Sequence, residues 1–456
     1  MKWQIPLKNF LLPTAWAQSN ISSPYSIIYI KMLWGDEMQK FIINGGRRLR
    51  GELALQGSKN SSLPIMAAAL LCMGECTLHS CPRLTDVYAA SRILNCVGCK
   101  CSFSDNTAVI NSDVIGRTEI SECLMREMRS SIIFMGAMLG RAGECVVSVP
   151  GGCELGPRPI DMHLAALRKM GVDIRESGGS IICKAAGGRA KGARISLAFP
   201  SVGATENIIL CAVTADGETV VNNAAREPEI CDLCGFLRAC GADIKGDGGS
   251  RIIINGKKQL HGCEYTIMPD RIVGATYLSM AAAAKGEIIL TNACVPEMEP
   301  FLSVLEQTGC SVYTSDKRIY LRSGARLTAV KERIRTMPHP GFPTDAQAVL
   351  MAALSVADGT SIFEENIFDC RYRHAEALIK MGADIDVLGK VAVVRGVSSL
   401  RGASVEATDL RGGAAMVIAA LCAEGVTEMT NICHIDRGYE KMEEAVRMLG
   451  GDMRRV

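Results

Sequence analysis

The chain has 456 residues, of which 48% are hydrophobic and 21% charged, and its formal net charge is +2. This composition excludes a mainly disordered protein, and the near-neutral charge argues against a general polyanion binder, which would carry a basic excess. No run of 18 apolar residues occurs, so no membrane-spanning helix is predicted. The length suits two or three domains of about 150 residues each.

The first 37 residues differ from the rest, because they hold all three tryptophans of the chain. They resemble a secretory signal only poorly, since a lysine and two prolines interrupt the apolar stretch. We interpret residues 1–37 as an extra N-terminal tail, and we hypothesise a misassigned start codon with natural translation beginning at Met38. N-terminal sequencing of the protein from its native cell would test this hypothesis.

Six repeats of about seventy residues follow the tail. In each, an apolar helical stretch ends in glycine and leads into a strand, as in LRKMGVDIRE and LIKMGADIDV. A second glycine series, as in ADGETVV and AKGEIIL, has the same period, and two independent series are a strong repeat signal. The glycines of the first series are Gly98, Gly171, Gly241, Gly309, Gly382 and Gly450. Those of the second are Gly74, Gly143, Gly217, Gly286, Gly359 and Gly425.

Each unit is predicted as β-α-β-α-β-β. In one unit the strand RISLAFP leads to the helix GATENIILCAVTA, the strand ETVVNNA and the helix ICDLCGFLRAC, which stops at a glycine. The strands ADIKG and RIIING follow, joined by an Asp-Gly-Gly turn. The last unit ends at GGDMRRV, one strand short, and the missing strand stands near the start of the chain in KFIINGGRRLRGELALQG. We therefore predict that this N-terminal strand completes the last unit.

Six units divide most simply into two domains of three units, and the fold class is α/β. One domain would be continuous, over residues 58–267. The other would combine residues 38–57 with residues 268–456. Two chain crossings would then form a hinge, with a cleft between the domains.

Two segments near predicted helix starts or turns carry groups suited to chemistry. Lys59 and Asn60 stand at a predicted helix N-terminus, which favours anions, although a solvated surface lysine is the plainer alternative. Cys153 lies in the glycine- and proline-rich segment VPGGCELGPRPIDMH, close in sequence to Arg158 and Asp161. A neighbouring cation can lower a thiol pKa and prepare it as an acid or a nucleophile. The alternative is one more ordinary cysteine among 20.

Further candidates are one aspartate and a set of arginines. Asp345, in TMPHPGFPTDAQA, stands at another predicted helix start, where N-capping is the ordinary alternative. Several arginines that converge would bind a phosphate or a carboxylate, although each alone is more often structural. These arginines are Arg129, Arg371, Arg411 and Arg437. The chain has neither a G-x-x-x-x-G-K-[ST] nor a G-x-G-x-x-G motif, so anion binding would rest on lysine and arginine.

Most of the 20 cysteines are interpreted as small buried hydrophobic residues in a reducing compartment. Two groups of cysteines could instead supply a four-ligand zinc site. They are Cys96, Cys99 and Cys101, and the pair Cys231 and Cys234. We favour the alternative that these are ordinary positions at the ends of repeated helices. The six histidines show no metal-ligand spacing, so no metal is predicted.

Eight motifs, in order, resemble the UDP-N-acetylglucosamine 1-carboxyvinyltransferases, a family of enolpyruvyl transferases. The resemblance runs from about residue 40 to the end, and its motifs are GSKNSSLP, MRSSI, PGGCELGPRPID, SVGAT, NAAREPEI, PHPGFPTDAQA, ATDLR and HIDRGYE. The related shikimate-phosphate enolpyruvyl transferases share the fold and lack the PGGC loop. The resemblance implies a two-domain inside-out α/β barrel, each domain made of three β-α-β-α-β-β repeats, with the active site in the interdomain cleft.

The resemblance also implies an activity. The enolpyruvyl group of phosphoenolpyruvate would pass to the 3′-hydroxyl of UDP-N-acetylglucosamine with release of phosphate, the first committed step of peptidoglycan synthesis. Cys153 would be the general acid, would form a covalent adduct with phosphoenolpyruvate, and would be the thiol that fosfomycin alkylates. Asp345 would be the base, and Lys59 and Arg437 would complete the catalytic set.

The resemblance further assigns binding residues. Phosphoenolpyruvate would be held by Lys59, Arg158 and Arg437, with Asn60 close by. UDP-N-acetylglucosamine would contact Arg129, Arg158, Pro159, Ile160, Asp161, Met162, Ser201, Val202, Gly203, Asp345 and Ile367. The cleft would also be lined by Arg371, Asp409 and Arg411.

The same resemblance implies no cofactor, no nucleic-acid or membrane partner, and a cytoplasmic location. Two departures from the common family pattern stand at Phe199-Pro200, where some members carry a lysine, and at Cys370, where asparagine is usual. The alternatives are a same-fold enzyme with another acceptor, a catalytically silent nucleotide-sugar-binding regulator, and a zinc-dependent interaction protein.

Overall fold

Short strands and helices alternate through residues 39–148, 160–324 and 326–456, the parts of the chain that the computed structural model describes. The N-terminal tail and the predicted site residues Cys153, Arg158 and Pro159 lie outside these residues. No helix in the described ranges is long and apolar enough to cross a membrane.

The helices, in chain order, are α1 (Lys59–Ala69), α2 (Thr85–Val97), α3 (Glu122–Glu127), α4 (Ile133–Ala142), α5 (Asp161–Lys169), α6 (Val202–Ala212), α7 (Pro228–Ala239), α8 (Arg271–Ala283), α9 (Val295–Gln307), α10 (Thr344–Leu354), α11 (Ala375–Lys380), α12 (Leu410–Cys422), α13 (Cys433–Asp436) and α14 (Met442–Met448).

The strands, in chain order, are β1 (Phe41–Asn44), β2 (Arg50–Ala54), β3 (Cys72–Met73), β4 (Glu75–His79), β5 (Lys100–Ser104), β6 (Thr107–Asn111), β7 (Glu144–Ser148), β8 (Val172–Ser177), β9 (Ser180–Ala185), β10 (Arg194–Ser196), β11 (Glu218–Asn222), β12 (Asp243–Lys245), β13 (Arg251–Asn255), β14 (Leu260–His261), β15 (Glu264–Thr266), β16 (Glu287–Thr291), β17 (Ser311–Ser315), β18 (Arg318–Arg322), β19 (Ile334–Arg335), β20 (Thr360–Glu364), β21 (Asp384–Leu388), β22 (Val391–Arg395), β23 (Ser404–Glu406), β24 (Val426–Thr430) and β25 (Asp452–Arg455).

The four-stranded sheets repeat one topology. In the sheet β10-β11-β13-β12, the first two strands are parallel and the other neighbours are antiparallel. The sheet β19-β20-β22-β21 has the same pattern. Because α6 joins the two parallel strands and α7 precedes the hairpin, the predicted β-α-β-α-β-β unit is confirmed.

The glycines of the first repeat series end helices as predicted. Gly98, for example, follows α2 with a φ of 108°, and Gly241 has a φ of 95°. This left-handed backbone favours glycine, because a side chain there would strain the main chain. The period seen in the sequence is therefore the period of the helix ends.

The N-terminal strand completes the last unit, as the sequence predicts. β1 lies between β24 and β25 and is antiparallel to both, with Phe41 opposite Met429 on one side and Arg455 on the other. A similar long-range pairing occurs inside the chain, where β15 pairs with β4 of the first unit. In both cores a strand distant in sequence therefore completes the sheet of another unit.

The first helix of each unit lies inside and the sheets lie outside. Every residue of α8 is buried, and α8, α10 and α12 pack on one another. The strands around them alternate between buried and accessible residues, as in β16, because one sheet face covers the helices. Gly136 lets α4 approach α6, since a Cβ atom there would lie 2.3 Å from the carbonyl oxygen of Asn207.

Buried apolar residues form two separate cores. The first core comes from residues 63–267, and the second core from residues 41–55 and 273–453. We propose on this ground that the chain divides into domains at 58–267 and at 38–57 with 268–456.

The two chain segments between the cores run side by side. The Ser58 backbone N–H donates to the Met268 carbonyl over 2.8 Å, and the Asp270 N–H donates to the Gln56 carbonyl over 2.9 Å. These hydrogen bonds hold the two crossing segments side by side, so that both pass between the cores at one place. A hinge between two domains requires this arrangement.

Candidate functional site

The start of α1 lies at the boundary between the cores. Ser58 caps the helix by accepting a hydrogen bond from the Ser61 N–H over 3.3 Å. The Lys59 backbone N–H donates to the carboxylate of Asp270 over 3.2 Å. Asp270 in turn caps α8 by accepting from the N–H groups of Ile272 and Val273. Two helix N-termini, one from each core, therefore meet beside Lys59.

Asp86 joins Lys59 to Arg437, and we call these three residues the bridging cluster. Lys59 Nζ lies 3.3 Å from Asp86 Oδ2, and Arg437 Nε lies 2.9 Å from Asp86 Oδ1. Lys59 and Asp86 are on helices of the first core, whereas Arg437 follows α13 of the second. Burial lowers the pKa of Lys59, Asp86 opposes this shift, and Arg411 and Arg437 lower the pKa further. The plainer alternative of a solvated surface lysine is wrong.

A second group, the inner cluster, consists of Asp345, Arg371 and Arg411. Arg371 Nη2 lies 2.8 Å from Asp345 Oδ1, and Arg411 Nη2 lies 3.2 Å from Asp345 Oδ2. Burial alone would raise the pKa of Asp345, but Arg411 and Arg371 outweigh it and hold the pKa far below its usual value. Asp345 makes no capping hydrogen bond at α10, so the N-capping alternative is wrong.

Neutral hydroxyl groups fix the Arg411 guanidinium on the side away from Asp345. Its Nη1 donates to the Tyr439 hydroxyl over 3.1 Å, and that hydroxyl lies 2.9 Å from Thr276 Oγ1. Both arginines of the inner cluster are almost fully buried, with 2% of their surface exposed. Packed and hydrogen-bonded in this way, they form a preset cationic site.

The two clusters act on each other electrostatically. Asp345 raises the pKa of Lys59, whereas Arg411 lowers it. Together the clusters hold four cationic side chains and two carboxylates, a formal excess of two positive charges. Such an excess favours a doubly charged anion, and the guanidinium groups offer paired donors to phosphate or carboxylate oxygens.

A third group lies in the first core and includes several predicted nucleotide contacts. Ile160, Asp161 and Met162 stand at the start of α5, and Ser201 caps α6 by accepting from the Ala204 N–H over 3.4 Å. A Cβ atom on Gly203 would lie 3.2 Å from His163 Cε1, so Gly203 lets the two helices approach each other.

His163 links these segments. Burial lowers the pKa of His163 to about 4, and Arg129 adds to the shift. The ring is therefore neutral at pH 7, and its Nδ1 accepts from the Asn207 amide over 2.7 Å. His163 was not predicted as a site residue, since only the fold brings it beneath Gly203.

The remaining predicted contacts occupy separate turns. Ile367 donates its backbone N–H to the buried Glu365 carboxylate over 2.8 Å, which fixes that turn. Asp409 caps α12 by accepting from the N–H groups of Arg411 and Gly412, each over 3.0 Å. Asn60 is half-buried beside Lys59.

The sequence does not predict Asp86 as a site residue either, because an acidic residue in the first turn of a helix is commonplace.

The zinc site considered for Cys96, Cys99 and Cys101 with the pair Cys231 and Cys234 is not formed. Among the described residues, the only group of three or more candidate ligands within 4.8 Å of one another involves different cysteines.

Comparison with known proteins gives one consistent family. The sequence profile of the EPSP synthase (3-phosphoshikimate 1-carboxyvinyltransferase) family matches residues 43–446. The "UDP-N-acetylglucosamine 1-carboxyvinyltransferase 2" of Caldanaerobacter subterraneus is 51% identical over 92% of this chain and 100% of its own length. This chain belongs to the UDP-N-acetylglucosamine 1-carboxyvinyltransferase family. The enzyme of the same name from Carboxydothermus hydrogenoformans is 44% identical over the same shares. Membership makes the chain an enolpyruvyl transferase by class.

Solved structures agree with this family in fold. The enolpyruvyl transferase NikO from Streptomyces tendae superimposes with a TM-score of 0.81 at 23% identity, covering 92% of this chain and 99% of that one. At this identity the likeness establishes the fold alone. The expected enolpyruvyl transferase fold is confirmed.

Proposed function

We propose that this chain transfers the enolpyruvyl group of phosphoenolpyruvate to the 3′-hydroxyl of UDP-N-acetylglucosamine and releases phosphate, the first committed step of peptidoglycan synthesis. The names of its relatives support the reaction. The observation that carries the proposal is the positive excess of the bridging and inner clusters at the boundary between the cores. Because both substrates are cytoplasmic metabolites, we propose a cytoplasmic location.

Phosphoenolpyruvate would bind where Asp86 now pairs with cations. Its phosphate would compete with the Asp86 carboxylate for Lys59 and Arg437, assisted by Arg158 and with Asn60 close by. A phosphate offers more acceptor oxygens than a carboxylate, and charge-assisted hydrogen bonds to it are strong. The exchange requires no new cation, since Asp86 already holds both in position.

UDP-N-acetylglucosamine would lie along the first-core surface that leads to the inner cluster. Its contacts there would be Arg129, Arg158, Pro159, Ile160, Asp161, Met162, Ser201, Val202 and Gly203. From the second core, Asp345 and Ile367 would contact the sugar nucleotide, and Arg371, Asp409 and Arg411 would line the cleft. The N-terminus of α6 would supply unpaired N–H groups to an anionic part of this substrate.

In the chemical step, the 3′-oxygen attacks C2 of phosphoenolpyruvate while Cys153 delivers a proton to C3. Asp345 takes the hydroxyl proton, and general acid–base help of this kind contributes roughly 10²–10⁴-fold. The tetrahedral intermediate then returns a C3 proton to the Cys153 thiolate as the C2–O bond to phosphate breaks, and the leaving phosphate takes up the proton held by Asp345. Preset arginine and lysine charges stabilise the leaving phosphate.

Asp345 is ionised and can accept a proton, but its two arginines make it a weak base as long as both remain paired with it. A substrate anion that accepts hydrogen bonds from Arg371 or Arg411 would weaken their hold on Asp345 and raise its basicity, while both arginines stay in place. The base would thus be activated only in the loaded site, which limits unproductive chemistry.

The test is phosphate release from phosphoenolpyruvate, measured with and without UDP-N-acetylglucosamine. We expect sugar-dependent release by the wild type and its loss in Cys153→Ala. The matched control is Cys123→Ala, which removes an exposed thiol of the same half and should leave release unchanged.

The other outcomes separate the alternatives. No release by folded wild type would overturn the transferase proposal and favour a catalytically silent nucleotide-sugar-binding regulator. Release that survives in Cys153→Ala would keep the reaction and remove Cys153 as its essential acid.

A further inference from the structure

Four cysteines meet at the end of α1 opposite Lys59, and we call them the four-thiol cluster. The sulfur atoms of Cys72, Cys76 and Cys240 all lie within 4.8 Å of one another. Cys263 Sγ lies 3.3 Å from Cys240 Sγ. The first three residues are fully buried, and Cys263 is half-buried.

We propose that the four-thiol cluster is a structural site for a thiophilic, tetrahedral metal ion, with Zn²⁺ as the natural occupant. A Zn–S bond of about 2.3 Å puts the sulfurs of a tetrahedral site roughly 3.8 Å apart. Three of the sulfurs already lie within 4.8 Å of one another, and Cys263 Sγ, 3.3 Å from Cys240 Sγ, would join them by side-chain rotation toward Cys72 and Cys76. Soft thiolate sets select zinc over hard cations such as Mg²⁺.

The ligands come from four separate places in the fold. Cys72 is in β3, Cys76 is in β4, Cys240 follows α7 and Cys263 precedes β15. β15 pairs with β4, and β14 pairs with β3. An ion bound here would fasten β3 and β4 to the later strands β14 and β15, near the segment that crosses to the second core.

The surroundings suit bound thiolates. The Thr77 backbone N–H, next to Cys76, donates to the Cys263 carbonyl over 2.9 Å, which fixes the two proposed ligand segments beside each other. Binding would replace four S–H bonds by four metal–sulfur bonds and release up to four protons, with no change of oxidation state.

A buried pair of thiols elsewhere in the same half differs from the four-thiol cluster in the number of candidate ligands. Cys145 and Cys183 face each other across β7 and β9 in the same half of the chain. Both are buried, but they form only a pair and belong to no group of three candidate ligands among the described residues. This pair has the burial of the cluster without its ligand number, which makes it the matched control.

The experiment is metal analysis of the full chain, purified without chelator and under reducing conditions. We expect about one zinc ion per chain, released when a mercurial reagent blocks the thiols. In Cys72→Ser/Cys76→Ser the content should fall at least tenfold, whereas Cys145→Ser/Cys183→Ser should retain it.

Cobalt substitution keeps the proposal testable if the double variant fails to fold. Co²⁺ added to metal-free wild type should give the intense visible bands of a tetrahedral thiolate site, and Cys263→Ser should shift them. A wild type that takes up neither metal, metal retained in Cys72→Ser/Cys76→Ser, or a native disulfide between Cys240 and Cys263 would overturn it. None of these outcomes depends on the proposed transferase activity.

Discussion

The bridging cluster and the inner cluster differ in how they are assembled. All three residues of the inner cluster belong to the half with the second core, and its two arginines are fully enclosed. The bridging cluster draws Lys59 and Asp86 from one half and Arg437 from the other. Groups that are preset lose little free energy to reorganisation during a reaction, whereas a pair across two domains exists only while the domains are closed.

The comparison therefore separates two tasks. The inner cluster is suited to the chemical step, because its charges are fixed before any substrate arrives. The bridging cluster is suited to sensing an anion, because a phosphate can replace the Asp86 carboxylate as the partner of Lys59 and Arg437. Substitutions in the two clusters should consequently change different measured quantities.

The largest effect is expected from Asp345→Asn, which keeps the shape of the inner cluster and removes the negative charge of Asp345. Loss of the proton acceptor should lower kcat by roughly 10²–10⁴-fold with both substrates saturating. Asp358→Asn is the control, because that exposed carboxylate lies 3.6 Å from the surface residue Arg326. A kcat within twofold of wild type would remove Asp345 from the proton transfer.

A smaller effect, on stability, is expected from Asp86→Asn. The change removes the carboxylate that Lys59 and Arg437 share, and because Arg437 is 35% exposed we expect a loss of about 1–3 kcal/mol in unfolding free energy. Inorganic phosphate should then raise the thermal midpoint more in the variant than in wild type. Asp173→Asn, at an exposed ion pair, should behave as wild type. Equal phosphate responses in all three proteins would contradict the sensing role.

The last prediction is a pH dependence of stability at Glu206, a buried carboxylate with no ion-pair partner among the residues that the structure describes. Burial raises the pKa of Glu206 to about 8, and the carboxylates of Glu229 and Glu227 add to the shift. Glu229 itself pairs with Arg271 across the boundary, Nε to Oε1 over 3.0 Å. Glu206 is therefore protonated in the folded chain at pH values where the unfolded chain has lost that proton.

The sign of the effect follows from this difference. The contribution of Glu206 to stability is complete below its unfolded pKa of 4.5 and is lost as pH rises toward 8. The loss is at most about 1.4 kcal/mol per pH unit, since the folded state holds one extra proton. Glu206→Gln should gain stability over wild type as the pH of denaturant unfolding rises from about 5 to about 9. A pH-independent difference would show that Glu206 is ionised in the folded chain.

The repeat was predictable because its signals are local. A glycine that must take a positive φ ends each repeated helix, and alternation marks the strands, so the sequence alone predicts the units and the pairing of β1. Asp86 and His163 were not predictable in this way. Their roles come from groups that lie far away in sequence, and nothing in their local pattern distinguishes them.

The cysteines show the same limit more sharply. Close spacing suggested Cys231 and Cys234 as ligands, yet the thiols that meet are Cys72, Cys76 and Cys240. Cys72 and Cys240 come together because α1 packs on α7 and β3 pairs with β14. Spacing in sequence predicts a metal site when one loop holds all the ligands. It does not predict one when the fold brings ligands together from distant segments.

The pairing of β1 also sets an order on synthesis. Lys40 and Val456 exchange two backbone hydrogen bonds, of 2.9 and 3.0 Å, so the first described strand rests against the last residue of the chain. During translation β1 must wait for β24 and β25 to leave the ribosome, a delay on the order of tens of seconds at usual elongation rates. The half with the first core is complete long before that. Newly made chains thus pass through a stage with one finished half and one strand that still lacks both of its neighbours.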